Sequence, residues 1–311
     1  MRILFMGTPD FAMISLKAIY ESNEEIVGVV TTPDKAKGRG MVLTPSPVKK
    51  YATEMGLPVY QPQTLKDGAF LDTLKELDPE LIVVVAYGKI LPTEVIDFPR
   101  YGCINAHVSL LPKYRGAAPM QRAIMEGEKE TGVTIMYMDE GLDTGDIITS
   151  VAFPITEADD FEAIHDRSAE IGSKLLSDTV TALFDGTAKR IKQDDALATY
   201  AKKVEKEDCK LDFTLSASKL DFQIRGVTPI PGAFAYLNGK MLKINRATPV
   251  KGVGKCGEVI EVSDKGEGYF TVACGEGALK VSVVIPEGKG KMSAGDFIRG
   301  RKIQIGDILT K

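Results

Sequence analysis

The chain reads as an α/β protein, a doubly wound and mostly parallel sheet followed by a small β-barrel. Through its first half, apolar runs of strand length alternate with stretches that place apolar residues at helical spacing, the pattern of successive β-α units. One run, Leu81-Ile82-Val83-Val84-Val85-Ala86, has no polar position, as a parallel strand covered on both faces requires. Past residue 208 short strands separated by glycine take over, which indicates an antiparallel barrel.

Taken in order, residues 2–6 form the first strand and 11–20 a helix with Phe11, Ile14, Ala18 and Ile19 at helical spacing. A strand over 26–31 follows, then a helix over 47–55 closed by Gly56, a short strand at 57–60, and the apolar strand at 81–86. Residues 103–107 read as a strand, 119–125 as a helix, and 133–139 and 147–155 as strands. The clearest helix covers 160–184, with Phe161, Ile164, Ile171, Leu175, Val180 and Leu183 near one face. Asp159 or Asp160 can cap its start, and Gly186 suits the position after its end. In the second region, 234–237 and 240–244 form a hairpin whose Asn238-Gly239 suits a type I′ turn, and 259–262, 269–273 and 279–284 are further strands. The expected division is a catalytic domain at 1–188, a polar linker at 189–207 and a second domain at 208–311.

Composition narrows the functional classes. A hydrophobic fraction of 44% is that of an ordinary globular protein with a sizeable core. No apolar run is long enough to cross a membrane, and the apolar N-terminus breaks at Pro9-Asp10, too early for a secretion signal. A cytoplasmic location is therefore expected. Cys103, Cys209, Cys256 and Cys274 are scattered and form no Cys-x-x-Cys pair, so reduced thiols are expected rather than disulfides or a metal site. Charge is unevenly placed. Residues 1–200 hold 20 Lys/Arg against 30 Asp/Glu, and residues 201–311 hold 19 against 13, so a net of −10 gives way to +6. A cationic C-terminal half is suited to a polyanion.

The chemistry concentrates in Asn105-Ala106-His107. Side chains alternate along a strand, so Asn105 and His107 point the same way. An amide beside an imidazole can bind a developing oxyanion and handle a proton. The chain has 2 histidines, and one lies here, at the carboxyl end of a strand where doubly wound sheets bind ligands. Asp143, in Leu142-Asp143-Thr144-Gly145-Asp146, can orient that imidazole or accept from it. The other histidine, His165, lies within a helix beside Asp166-Arg167 and reads as a surface residue. Gly7-Thr8-Pro9 follows the first strand but is no Gly-x-Gly-x-x-Gly, so a dinucleotide site is not expected.

Asn105-x-His107-x-Ser109-Leu110-Leu111-Pro112, continued by Lys113-Tyr114-Arg115-Gly116-Ala117-Ala118-Pro119 and by the Leu142–Asp146 loop, resembles the folate-dependent formyltransferases. The likeness takes in residues 3–11, 84–92 and the region near Met292-Ser293-Ala294. It is strongest to the members whose acceptor is the amino group of methionine on initiator tRNA. The resemblance implies a Rossmann-like catalytic domain, an OB-like second domain and 10-formyltetrahydrofolate as cosubstrate, with no metal. It carries over Asn105, His107 and Asp143 as the catalytic trio. It places folate against Ser109, Leu110, Leu111 and Pro112, against Val84, Ala86, Tyr87 and Gly88, and against Asp139, Gly141 and Asp146.

Residues 32–47 form a long loop bearing Lys35, Lys37 and Arg39, with glycines flanking Arg39. Loops of that length commonly serve a function. The resemblance implies that this one enters the acceptor stem of methionyl initiator tRNA, with Arg39 as its principal basic residue. Lys243 and Arg246, with Lys251 and Lys255, are candidate phosphate contacts of the second domain. The expected enzyme is a monomer acting in translation initiation. Two other readings keep less of the pattern. A nucleotide-sugar or glycinamide-ribonucleotide acceptor leaves the basic loop unused, and a non-catalytic RNA- or folate-binding relative leaves the trio unused.

Overall fold

The computed structural model describes residues 1–22, 24–37, 42–66 and 68–311. The chain forms two compact units. The first comprises Met1–Gly116, Thr131–Phe153 and His165–Tyr200, and the second Ala117–Glu130, Pro154–Ile164 and Ala201–Lys311. The segment 189–207, read as a linker, is therefore shared, and as far as Tyr200 it packs with the first unit.

Up to Phe184 the elements are β1 (Arg2–Gly7), α1 (Asp10–Glu21), β2 (Glu25–Val30), β3 (Lys35–Lys37), β4 (Val42–Thr44), α2 (Pro47–Glu54), β5 (Val59–Tyr60), α3 (Gly68–Leu77), β6 (Leu81–Val85), α4 (Thr93–Ile96), β7 (Cys103–His107), α5 (Pro119–Glu126), β8 (Glu130–Tyr137), β9 (Ile147–Pro154) and α6 (Phe161–Phe184). Seven strands make one sheet in the order β5-β2-β1-β6-β7-β8-β9. The first five are parallel, and β8 runs antiparallel to β7. Every residue of β6 is buried, as its unbroken apolar run requires. Ser46 caps α2 by accepting from the Lys49 amide at 3.0 Å, and Asp160 accepts from the Ala163 amide at 3.0 Å at the start of α6.

Parts of the first unit depart from the sequence pattern. The stretch 32–47, read as an open loop, has its flanks paired as the antiparallel β3–β4 ladder. Helix α3 was hidden by its polar setting, although Phe70 and Leu74 stand four residues apart and are buried.

The second unit adds α7 (Ala217–Val227), β10 (Ala233–Leu237), β11 (Lys240–Val250), β12 (Val259–Ser263), β13 (Tyr269–Ala273), β14 (Ala278–Pro286), β15 (Met292–Ser293), α8 (Ala294–Arg299) and β16 (Leu309–Thr310). The sheet follows the order β12-β13-β14-β11-β10-β16, with β15 beside β14. Its two ends meet. Glu258 and Ile308 form an antiparallel bridge, and the Leu309 amide donates to the Gly257 carbonyl at 2.8 Å. That contact closes the sheet into a barrel and removes its free edges. Asn238 and Gly239 both have positive φ, 50° and 74°, the type I′ geometry expected of the hairpin.

Helix α7, absent from the sequence pattern, plugs this core with Leu220, Ile224 and Val227. It also takes α5 as a neighbour. A Cβ on Gly226 would stand 2.9 Å from the Gln121 carbonyl, so glycine permits the two helices to touch. This explains why α5 clusters with the second unit rather than with the sheet that precedes it.

Candidate active site

Strand β7 is short, and its last residues stand at the carboxyl edge of the parallel strands, where loops bend away and leave room for ligands. Asn105 is half-buried, and its amide makes no hydrogen bond among the described residues. Two residues on, His107 is 6% exposed. Its Nε2 lies 2.9 Å from the Tyr114 carbonyl oxygen. A carbonyl only accepts, so Nε2 carries the proton. The other nitrogen, Nδ1, faces Asp143 Oδ2 at 3.6 Å, beyond hydrogen-bond range. With the ring neutral, both of those atoms are acceptors. The pair is therefore a place to put one proton, which would make the ring cationic beside a carboxylate.

Asp143 is held there by the backbone. Its Oδ2 accepts from the Gly116 amide at 2.7 Å, and its own φ is +55°, a left-handed conformation that side chains other than glycine rarely adopt. Close packing restrains the loop further. A Cβ on Gly145 would stand 1.9 Å from the Tyr137 carbonyl, and the Tyr137 amide donates to the Asp146 carbonyl at 2.9 Å.

Residues 1–180 match the formyl transferase family model, and residues 203–302 match the model of the formyl transferase C-terminal domain. The chain belongs to the formyl transferase family. Full-length relatives include the methionyl-tRNA formyltransferase of Caldanaerobacter subterraneus subsp. tengcongensis, 47% identical over 312 residues, with 99% of this chain and 100% of that one covered. The methionyl-tRNA formyltransferase of Citrifermentans bemidjiense is 45% identical over 311 residues, with 100% and 97% covered. Among solved structures, an N-formyltransferase from Helicobacter canadensis, in complex with folinic acid and dTDP-3-aminofucose, shares the fold. Its TM-score is 0.68 at 21% identity, covering 90% of this chain and 98% of that one.

His107 and Asp143 thus stand together, with Asn105 two residues from His107 on the same strand, while the residues expected around folate divide into two kinds. Ala86 and Gly88 are exposed and both have positive φ, 45° and 84°, so this turn presents backbone outward. Val84 and Tyr87 instead send their side chains into the core with Leu4, Met6 and Phe70. Tyr87 is 2% exposed, its hydroxyl has no partner among the described residues, and burial pushes its phenol up to about 12. Ser109 is fully buried, and its hydroxyl is spent on the Lys113 carbonyl at 2.7 Å. Leu111 precedes Pro112 through a cis peptide and is also buried, whereas Leu110 packs where a Gly132 Cβ would be.

Asp139 and Asp146 serve their own loop. Asp139 accepts from the Gly141 amide at 3.0 Å and from the Thr144 hydroxyl at 2.6 Å. Asp146 pairs with Arg190 at 3.4 Å. The apolar surface that these loops do expose belongs to Ile90, 87% exposed, and Leu142, 60% exposed. The Thr93 hydroxyl links the loops by donating to Glu140 at 3.2 Å.

Of the basic residues, Lys35 and Arg246 are exposed, while Lys243 donates its ammonium to the Pro231 carbonyl at 2.7 Å. Arg39 lies outside the described residues. Sequence reasoning did not single out Gln193, which bonds the Asp143 loop, or Arg115, which bonds Gln193. Arg115 stood inside a motif quoted for its family likeness, but nothing in the polar run 189–195 marked Gln193 as buried.

Among the described residues, no helix is long and apolar enough to cross a membrane. No group of three His, Cys, Asp or Glu side chains among them is placed to hold a metal.

Proposed function

We propose that the chain transfers the formyl group of 10-formyltetrahydrofolate to the amino group of methionyl initiator tRNA, supplying the formylated methionine for translation initiation. The observation that carries the chemistry is the His107–Asp143 pair. One imidazole nitrogen is locked as a donor, and the other faces a carboxylate across a gap awaiting a proton. The acceptor is argued from the relatives named above, which share nearly half of their residues with this chain from end to end.

The reaction forms a bond from the amine nitrogen to the formyl carbon and breaks the bond from that carbon to the folate nitrogen. Asn105, with its amide otherwise unengaged, donates to the oxygen on which negative charge develops. His107 Nδ1 and Asp143 receive the proton that the amine loses, and the cationic ring is stabilised by the carboxylate beside it. The same proton then passes to the folate nitrogen as it leaves, so the site ends as it began. Exposed backbone at Ala86, Gly88 and Gly141, with Ile90 and Leu142, supplies polar edges and apolar surface for a flat pterin ring. Ser109–Pro112, with Ser109 and Leu111 buried, acts as a support of that site.

On the acceptor side, Lys35, Lys37 and Arg39 meet the acceptor stem, while Arg246, Lys251 and Lys255 contact phosphates. The test is formyl transfer to charged initiator and elongator tRNAs. Efficient formylation of the initiator alone is expected. Arg39→Ala should narrow that preference while leaving folate binding intact. No transfer to either tRNA, with transfer to a nucleotide sugar, would overturn the reading.

A further inference from the structure

We propose that Gln193, itself clamped by the buried Arg115, is a positioning residue that sets the Asp143 carboxylate against His107. This rests on the reading of Asp143 as the proton-relay partner of His107. Gln193 lies 50 residues beyond Asp143 in the chain and touches none of the reacting groups.

Its amide is fully used. Nε2 donates to the Asp143 carbonyl at 2.9 Å and to the Gly145 carbonyl at 2.7 Å, gripping the loop on both sides of Thr144. Oε1 accepts from Arg115 Nε at 3.1 Å and Nη2 at 2.8 Å. Gln193 is 7% exposed and Arg115 2%, and the outer face of the guanidinium is held by Asp195 at 2.8 Å. The two ends of the amide therefore have different jobs. The guanidinium fork fixes which way the amide faces, because a flipped amide would turn its NH₂ group toward a cation. The NH₂ group then holds two carbonyls that no carboxylate or apolar side chain of that length can hold.

Such a device is needed because Asp143 sits in a left-handed conformation, which is strained and persists only where the surroundings over-determine it. The same segment also fixes the opposite partner of the relay. The Thr199 hydroxyl receives the Tyr114 amide at 2.8 Å, and the Thr199 carbonyl receives the Arg115 amide at 2.8 Å. The Tyr114 carbonyl is the acceptor that locks His107 Nε2. Residues 193–199 thus hold both sides of one proton site.

The experiment is a double-mutant cycle in the full chain, with formyl transfer read as separate kcat and KM values. Gln193→Glu keeps the acceptor for Arg115 but sets a carboxylate oxygen against two carbonyl oxygens, so the loop must move. A displacement of this kind costs on the order of 10²-fold. That loss is expected chiefly in kcat, with the KM for tRNA within about threefold of the parent and a smaller rise in the KM for folate, whose surface shares this loop at Gly141 and Leu142. In an Asp143→Asn background the same change should cost less than about twofold, because a residue acting through Asp143 has nothing left to position. Arg115→Lys keeps the charge but loses the fork. It should give a smaller kcat loss that also vanishes beside Asp143→Asn, and it carries the test if Gln193→Glu does not fold.

Losses that add in the double variants would show a general structural role and overturn the proposal, as would unchanged kcat in Gln193→Glu and Arg115→Lys. Full activity in Asp143→Asn alone would instead overturn the reading of the relay beneath it.

Discussion

At the end of β7, His107, Asp143, Gln193 and Arg115 are buried or nearly so, and each is tied by a hydrogen bond to backbone or to another member of the group. In the barrel, Arg246 on β11 and Lys251 and Lys255 just beyond it are exposed, and none has an ion-pair partner among the described residues. The first arrangement works by position. A carboxylate 3.6 Å from an imidazole is useful only while that spacing is kept, so many bonds are invested in keeping it. The second works by charge. On the proposed reading, long cationic side chains on the barrel would meet a polyanion through many weak, replaceable contacts, each contributing by releasing counterions. Changes in the first region should therefore alter turnover steeply, while changes in the second should alter affinity gradually and with salt.

The sharpest test of that contrast is Asn105→Ala. Its amide is unengaged in the resting site and acts only once charge develops on the formyl oxygen. Loss of such a donor costs about 10²–10³ in kcat, while folate affinity, measured by titration, should stay within a few-fold. A large loss of folate affinity with unchanged turnover would reassign Asn105 to binding. On the barrel, replacing Arg246, Lys251 and Lys255 together with alanine should weaken initiator and elongator tRNAs alike, because phosphate contacts position without discriminating. The log–log dependence of affinity on salt should flatten by up to about 0.9 for each contact removed. An unchanged salt slope would place the tRNA elsewhere on the molecule.

Acid should separate the units in a different way. In the second unit Asp212 is lowered to about 2 by the Thr214 hydroxyl, the Thr214 amide and Lys311. Asp208, bonded to Arg122, and Asp296, bonded to Arg299, are also lowered. In the first unit only Asp34, bonded to Lys49 and Gln61, is clearly lowered among the described carboxylates. A carboxylate with a depressed folded value adds stability above its unfolded value and loses it as pH falls through the folded one. For Asp212 that window runs from 3.8 down to about 2. Asp221 has the opposite sign, since burial raises it against the pull of Arg225, and it gains as pH falls. Three carboxylates against one leave the net loss in the barrel, whose melting should respond first between about pH 4 and 2. Earlier loss of the α/β unit, followed by amide exchange, would contradict this.

The sequence made some of this plain and left some of it hidden, for physical reasons. Strand β6 was legible because five consecutive buried positions leave no room for a polar residue. The barrel hairpin was legible because Asn-Gly meets a conformational demand that few pairs meet. The shared face of Asn105 and His107 was legible through strand periodicity, and the approach of Asp143 to His107 through the motifs that carry the family likeness. Gln193 was not, because a polar residue in a polar run looks solvated until a buried arginine is seen to hold it. Val84 and Tyr87 were placed at folate by their position in a motif, but Val84 lies in a strand buried on both faces and the Tyr87 side chain turns into the same core, which leaves the turn at Ala86 and Gly88 exposed. Lys243 looked like a free cation because its bond to the Pro231 carbonyl is made across the barrel fold, not along the chain.

Tyr87 provides the smallest expected effect, and it tests how far positioning extends from the trio. Its hydroxyl is buried without a partner among the described residues, and an unsatisfied buried polar group costs roughly 1–3 kcal/mol. Its ring packs among Leu4, Met6, Phe70 and Leu91, so Tyr87→Phe keeps the apolar contacts and removes only the oxygen. If Tyr87 is purely a core residue, the variant should be more stable by about 1 kcal/mol, seen as a rise in melting temperature with unchanged kcat and folate affinity. The Tyr87 carbonyl, which accepts from the Thr8 hydroxyl at 3.1 Å, is retained, so the turn at Ala86–Gly88 keeps its anchor. A fall in folate affinity in place of a gain in stability would mean that bound folate completes the hydroxyl. That result would extend the positioned region from the end of β7 to the end of β6.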